Sequence, residues 1–216
     1  LMGYATGDAL TTGSDNVALG YAALSAEDTG GRSIAIGRAA LLSQNNNASN
    51  YNVAVGYNAG LNVSTGIQNI AIGGLSMDAL TTGSSNVAIG YASMGSANGS
   101  EGRNTAIGHQ ALFAMDADGN NYNTAVGYNA GAEITSGVQN TIIGSLAGDA
   151  MTIGNFNVAL GVNALSTSVD GDNNTAIGFA ALEDYEDGDG NGNNTAVGAK
   201  SQTNATTGEN NTSLGS

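Results

Sequence analysis

Short bursts of period-two alternation recur along this chain: a branched residue, an Ala and a second branched residue, opened by Asn and closed by Gly. They fall at 16–20 (NVALG), 52–56 (NVAVG), 69–73 (NIAIG), 86–90 (NVAIG), 104–108 (NTAIG) and 123–127 (NTAVG). The run continues at 140–144 (NTIIG), 157–161 (NVALG), 174–178 (NTAIG), 194–198 (NTAVG) and 211–215 (NTSLG), and Ser33 replaces the Asn at 33–37. Alternation of this kind predicts a short strand with two different faces. The motif residues that carry the pattern are typified by Asn16, Ala18, Leu19 and Gly20 and by Asn86, Ala88, Ile89 and Gly90. The residue before Gly is always aliphatic. It and the Val or Thr two places earlier are expected to point into a continuous aliphatic stack inside the fold. Ala18, Ala35, Ala54, Ala71 and Ala88 are then expected to face the other way, toward a closely packed second chain.

A second short segment follows each Gly, as at 21–24, 38–41, 91–94, 109–112 and 179–182, before turn residues lead to the next Asn. Each unit is therefore read as two short strands and two turns. At about 3.3 Å per residue, 17 residues give roughly 56 Å of contour, enough for a narrow coil. A helical reading is opposed by 34 Gly, abundant Asn and the β-branched motif positions. Stacked at about 4.8 Å, the coils predict an array roughly 58 Å long, with the motif Asn side chains forming a ladder.

The closing glycines at 3, 20, 37, 56, 73, 90, 108, 127, 144, 161, 178, 198 and 215 lie 17 to 20 residues apart. Four coils form a longer unit that starts at Gly3, Gly73 and Gly144, with the next start at Gly215, so the units are 70, 71 and 71 residues long. The sequences DALTTG at 8–13 and 78–83, DAMTIG at 149–154, and GYNAG at 56–60 and 127–131 support the same frame. The expected organisation is one β-solenoid array over 1–216, in super-repeats 3–72, 73–143 and 144–214. The extra residues fall in one phase, which maps them to loops on one face. The chain begins and ends inside a motif, which reads as a piece of a longer protein.

Composition narrows the function classes. The formal net charge is −14, with Arg32, Arg38, Arg103 and Lys200 as the cations. That balance argues against nucleic-acid binding, which needs basic residues to displace counterions, and against a polybasic membrane contact. No stretch approaches the length of an apolar membrane span, so no membrane insertion is expected. The absence of Cys excludes a disulfide or thiolate framework. So few sizeable aliphatic side chains per coil make a slim core, and oligomerisation with cyclic symmetry is its natural complement.

The motif resembles that of the head repeats of trimeric autotransporter adhesins, whose N-S-V-A-I-G coils build a left-handed parallel β-roll. It also resembles the N-T-A-x-G-Y-x-A-L repeats of bacteriophage tail fibres and related surface proteins. The sequence NVALGYAAL at 16–24 and the GYNAG at 127–131 carry that pattern, and the resemblance spans essentially the whole chain. It implies an all-β, left-handed, homotrimeric parallel β-solenoid of about twelve coils. It further implies a fibre segment, extracellular or on a virion, that serves attachment to a host receptor. It supplies no catalytic site. Ser33, Ile142 and Ser213 depart from the motif, which questions local packing rather than the fold.

Candidate chemistry lies in acidic loops and surface aromatics. Asp116 and Asp118, and Asp187, Asp189 and Asn191, alternate with small residues in a way that lets oxygens converge on Ca²⁺. The competing reading is a solvated Asp/Gly turn, since the first-copy loop at 44–47 has no acid. Tyr21, Tyr57, Tyr91 and Tyr128 each follow a motif Gly and form either a strip for a glycan or protein receptor or the covered corner of each coil. The Thr array at 105, 124, 141, 175, 195 and 212 raises ice binding, against which stands the expectation that this side points inward. His109, the single histidine, is expected on the surface, and Arg32 and Arg103 are expected in weak surface pairs with Glu27 or Glu101. No cleft is evident for an enzyme. Loops 43–51, 113–122 and 183–193 are where an adhesive function of the segment itself would reside.

Overall fold

Each branched–Ala–branched triplet forms a three-residue strand, and the coil between triplets returns the chain to pair with itself. The computed structural model describes residues 1–185, 192–206 and 208–216, in two compact units: residues 1–104 with 116–120, and residues 105–115 with 121–216. In the first unit β1 (Val17–Leu19), β2 (Ile34–Ile36), β3 (Val53–Val55), β4 (Ile70–Ile72) and β5 (Val87–Ile89) pair in chain order, all parallel. In the second, β6 (Thr105–Ile107), β7 (Thr124–Val126), β8 (Thr141–Ile143) and β9 (Val158–Leu160) are followed by β10 (Thr175–Ile177), β11 (Thr195–Val197) and β12 (Thr212–Leu214). These also pair in parallel and in order. Motif positions meet like positions: Ala54 lies opposite Ala71 and Val55 opposite Ile72. Parallel neighbours joined by such short returns make this an all-β, parallel β-solenoid.

The segment after each Gly is not a second strand. Its alternate residues take left-handed backbone angles, as at Ala22 and Leu24 (φ 53° and 54°) and at Ala39 and Leu41 (φ 55° and 49°). Such angles are uncommon for residues with a Cβ. Here hydrogen bonds to the coils on either side hold them: Ala22 N–H donates to Tyr4 C=O at 2.9 Å and Leu24 N–H to Ala40 C=O at 3.0 Å. The corner thus turns the chain while its backbone groups stay paired between coils.

The two faces of the strands are the reverse of the expected assignment. The central Ala is buried in every strand that carries one, and Ala88 has no exposed surface; the flanking residues look outward, with Val17 49% and Leu19 44% exposed. The reason is volume. The corner segments drive Leu24, Leu41, Met94, Leu112 and Leu182 into the coil interior, joined by Met77, Leu80, Met115, Ile134, Met151 and Leu165. Against those side chains only a methyl group fits at the strand centre, so Ala faces the chain's own core rather than a second chain. Ile142 is the exception that follows the same rule. Its corner residue is Gly148, and Ile142 Cδ1 fills the space where a Cβ at Gly148 would stand, 3.2 Å away.

The motif Asn forms the expected ladder. Asn69 Oδ1 accepts the Asn86 backbone N–H at 3.0 Å, and Asn69 Nδ2 donates to Gly83 C=O at 2.8 Å. In the second unit Asn140 and Asn157 repeat it: Asn157 N–H donates to Asn140 Oδ1 at 2.9 Å and Asn140 Nδ2 to Gly154 C=O at 2.8 Å. Where Ser33 breaks the series, Gln44 from the inserted loop supplies the missing amide. Gln44 Nε2 donates to Ser33 Oγ at 2.9 Å, and Gln44 Oε1 accepts from Asn52 Nδ2 at 2.8 Å. Ser213, in place of Ala in β12, has its own partner in Ser201 (Oγ to Oγ, 2.9 Å).

Candidate functional site

Alternation continues beyond the strand on both sides, and this builds a face four side chains wide. In the first coil Asp15, Val17, Leu19 and Tyr21 are all exposed while Ala18 and Ala22 are buried. The third coil repeats it with Tyr51, Val53, Val55 and Tyr57, and in the second unit Tyr122, Thr124, Val126 and Tyr128 do so. Two central rows of aliphatic residues and Thr are therefore flanked by an outer row before the Asn and another after the Gly. Thr105, Thr124, Thr141, Thr175, Thr195 and Thr212 lie in the central rows, so they face outward, contrary to the inward orientation expected of them.

The row after the Gly is a stacked ladder. The rings of Tyr4 and Tyr21 lie 5.6 Å apart and 13° from parallel, and the Arg38 guanidinium sits over Tyr21 at 5.6 Å and over Tyr57 at 5.4 Å. In the second unit His109 stacks on Tyr128 at 5.3 Å, so the single histidine is a surface rung. Tyr21, Tyr57, Tyr91 and Tyr128 are each about half exposed. The row before the Asn carries Arg32, which lies 5.6 Å from the Tyr51 ring and donates from Nη1 to Tyr51 Oη at 2.9 Å. Its ion-pair partner is Asp15 (Nε to Oδ2, 3.8 Å). Sequence reasoning had put Glu27 and Glu101 in that surface role, but both are fully buried.

Glu27 instead anchors the inserted loop at 43–51. Its Oε1 accepts the Gly30 N–H at 2.7 Å, and its Oε2 accepts from Gln44 Nε2 at 3.0 Å and Asn50 Nδ2 at 2.9 Å. A buried carboxylate held by several donors fixes the loop that completes the Asn ladder at Ser33. Glu101 accepts the Gly99 N–H at 2.9 Å, and burial pushes its carboxyl above the usual Glu value, partly offset by these backbone donors.

The acidic loop residues are placed as follows. Asp116 is exposed. Asp118 Oδ1 accepts from both the backbone N–H and the hydroxyl of Ser100 at 3.0 Å, which holds its carboxyl below the usual Asp value. The equivalent pair one super-repeat earlier is Thr29 and Asn47, whose hydroxyl–amide bond is 2.6 Å. Asp118 and Asn47 thus do the same work, tying a loop to the preceding turn. Asp187, Asp189 and Asn191 lie outside the described residues. Among the described residues no three His, Cys, Asp or Glu side chains gather as a metal site would require.

The four-row face was missed because a period-two pattern had been stopped at the strand ends. Exposed polar or aromatic residues two places before each strand and two places after it were the available signal. Comparison of the chain with protein-family models, with curated proteins and with solved structures gives no match.

Proposed function

We propose that this chain is a structural segment of a surface or virion fibre, in which three copies associate through the outward strand face. The observation that carries the reading is the pair of exposed aliphatic rows bordered by aromatic and Arg ladders. Large contiguous apolar patches on a soluble surface mark interaction sites. An apolar centre rimmed by Tyr and Arg is the usual anatomy of a protein interface. A second copy is the occupant that fits best, because the strip repeats with the same period as the chain itself. Left-handed coils and threefold symmetry follow the resemblance of the NxAxG motif, and such a fibre would hold an attachment surface away from its base and act outside the cell.

Mass measurement in solution tests this, by light scattering coupled to size exclusion. A stable trimer is expected for the wild type. Ile72→Asp combined with Val53→Asp should give a folded monomer with unchanged β circular dichroism. A wild-type chain that is folded and monomeric at micromolar concentration would refute the reading.

The exposed ladder of Tyr21, Arg38 and Tyr57 favours a second role, in which the segment itself contacts a glycan or protein receptor. Threefold repetition would then multiply weak contacts. Binding that is lost on removing the ladder, but kept on shortening loops 43–51 and 113–122, would place the contact on the ladder.

A further inference from the structure

The ladder after the Gly lacks one rung. Its successive positions in the first unit are Tyr4, Tyr21, Arg38, Tyr57, Gly74 and Tyr91. Backbone geometry does not require glycine at this rung. The adjacent Gly73 has φ +133°, and a Cβ there would collide with the Gly90 carbonyl oxygen, so that glycine is obligatory. Gly74 has no such φ. A Cβ on it would meet Tyr91 Cδ2 at 3.6 Å and Tyr57 C=O at 3.9 Å, which are ordinary contacts. The fold accepts a side chain at this position and the sequence supplies none, while the rings on the coils before and after stay about half exposed.

The chain itself shows what fits between two such rings. One coil earlier the Arg38 guanidinium occupies the space between Tyr21 and Tyr57, at 5.6 and 5.4 Å from their centroids. It also donates from Nη1 to Tyr57 Oη at 3.5 Å and Asn58 Oδ1 at 3.4 Å. A guanidinium is planar, stacks on aromatic faces and is more weakly hydrated than an ammonium. The formal charge of −14 favours the approach of a cation over an anion.

We propose that the missing rung at Gly74, between Tyr57 and Tyr91, is a binding slot for the guanidinium of an arginine side chain on another polypeptide. The slot goes beyond the fibre reading and does not depend on it. It presents two ring faces with the spacing that Arg38 already uses, and an incoming arginine would complete the ladder as Arg38 does.

The test is a titration of the full chain, labelled with ring-¹³C tyrosine, with N-acetyl-arginine amide, followed by NMR. N-acetyl-lysine amide and methyl glucoside serve as comparison probes. Saturable shifts concentrated at Tyr57 and Tyr91 are expected with the arginine probe and not with the others. Gly74→Arg should abolish them by filling the rung from within, and Tyr57→Ala should weaken binding about fivefold or more. Gly74→Ala, whose methyl group fits, keeps the test valid if the larger substitution fails to fold, and it should also weaken the shifts. Equal response to lysine, shifts spread over every ladder tyrosine, or binding unchanged in both Gly74 variants would overturn the proposal. The mass of the same sample, recorded alongside, separates this outcome from a failure of the trimer reading.

Discussion

The side-chain Oδ1 of Asn69 accepts the backbone N–H of Asn86, one coil further on, at 3.0 Å. The contact recurs between Asn86 and Asn104, also at 3.0 Å, and Asn86 Nδ2 additionally donates to Glu101 C=O at 2.8 Å. Asn86→Ala therefore strands the Asn104 N–H and the Glu101 carbonyl in a buried setting. The expected loss is about 1–3 kcal/mol for each stranded group, read by urea denaturation. Ser85→Ala, on the exposed neighbouring residue, should change stability by less than about 0.5 kcal/mol.

Adjacent glycines should behave oppositely. Gly73→Ala places a methyl group against a backbone oxygen that cannot move away, at a positive φ, and should cost more than about 2 kcal/mol or prevent folding. Gly74→Ala should fold with near-wild-type stability. Equal loss in the two variants would contradict the corner geometry.

Substitutions on the two strand faces should separate folding from assembly. Ala88→Phe overpacks a closed interior and should destabilise the chain itself by about 1–3 kcal/mol or more, whatever its oligomeric state. Val87→Asp, on the outward side of the same strand, should leave circular dichroism unchanged and lower the mass in solution. Assembly lost in Ala88→Phe with the monomer still fully folded would mean that Ala lines the interface after all.

Buried acids should make stability depend on pH in a set direction. Burial raises the Glu101 carboxyl above its ordinary value of 4.5, and it raises Asp78 and Asp149 above 3.8. The folded state therefore holds these protons more tightly than the unfolded chain does. Their stabilising contribution is complete below the ordinary value and is lost as pH rises through the folded-state value. Asp118 runs the other way, since its contribution is lost as pH falls through its lowered value. Glu101→Gln should raise the melting temperature at neutral pH and flatten its rise on acidification from neutral toward 4.5. An unchanged pH profile would show that Glu101 does not contribute.

Outward Thr rows give a further discriminating measurement. If copies cover this face in one another, the assembled protein should show no thermal hysteresis in freezing solutions. Measurable hysteresis, lost on replacing Thr124 and Thr141 by Lys, would instead favour an ice-binding surface over self-association.

The sequence alone determined the period, the phase of four coils, the obligatory closing Gly and the Asn ladder. Each of these is a backbone requirement that only one residue type meets: Asn places an amide where the next coil needs both a donor and an acceptor, and Gly alone fits beneath the next coil's carbonyl. The faces were a different matter. A branched–Ala–branched triplet reads the same with either side inward, so alternation fixes parity but not which parity is buried. That choice was made by residues remote from the strand. Leu24, Leu41 and Met94 fill the coil from its corners, and their volume leaves room for a methyl group and nothing larger. Tertiary packing therefore turned the aliphatic rows outward and extended them into a face bordered by Tyr and Arg. The same packing placed Glu27 and Gln44 where Ser33 leaves the ladder one amide short, because which loop residue reaches a broken rung depends on how the coils stack in space.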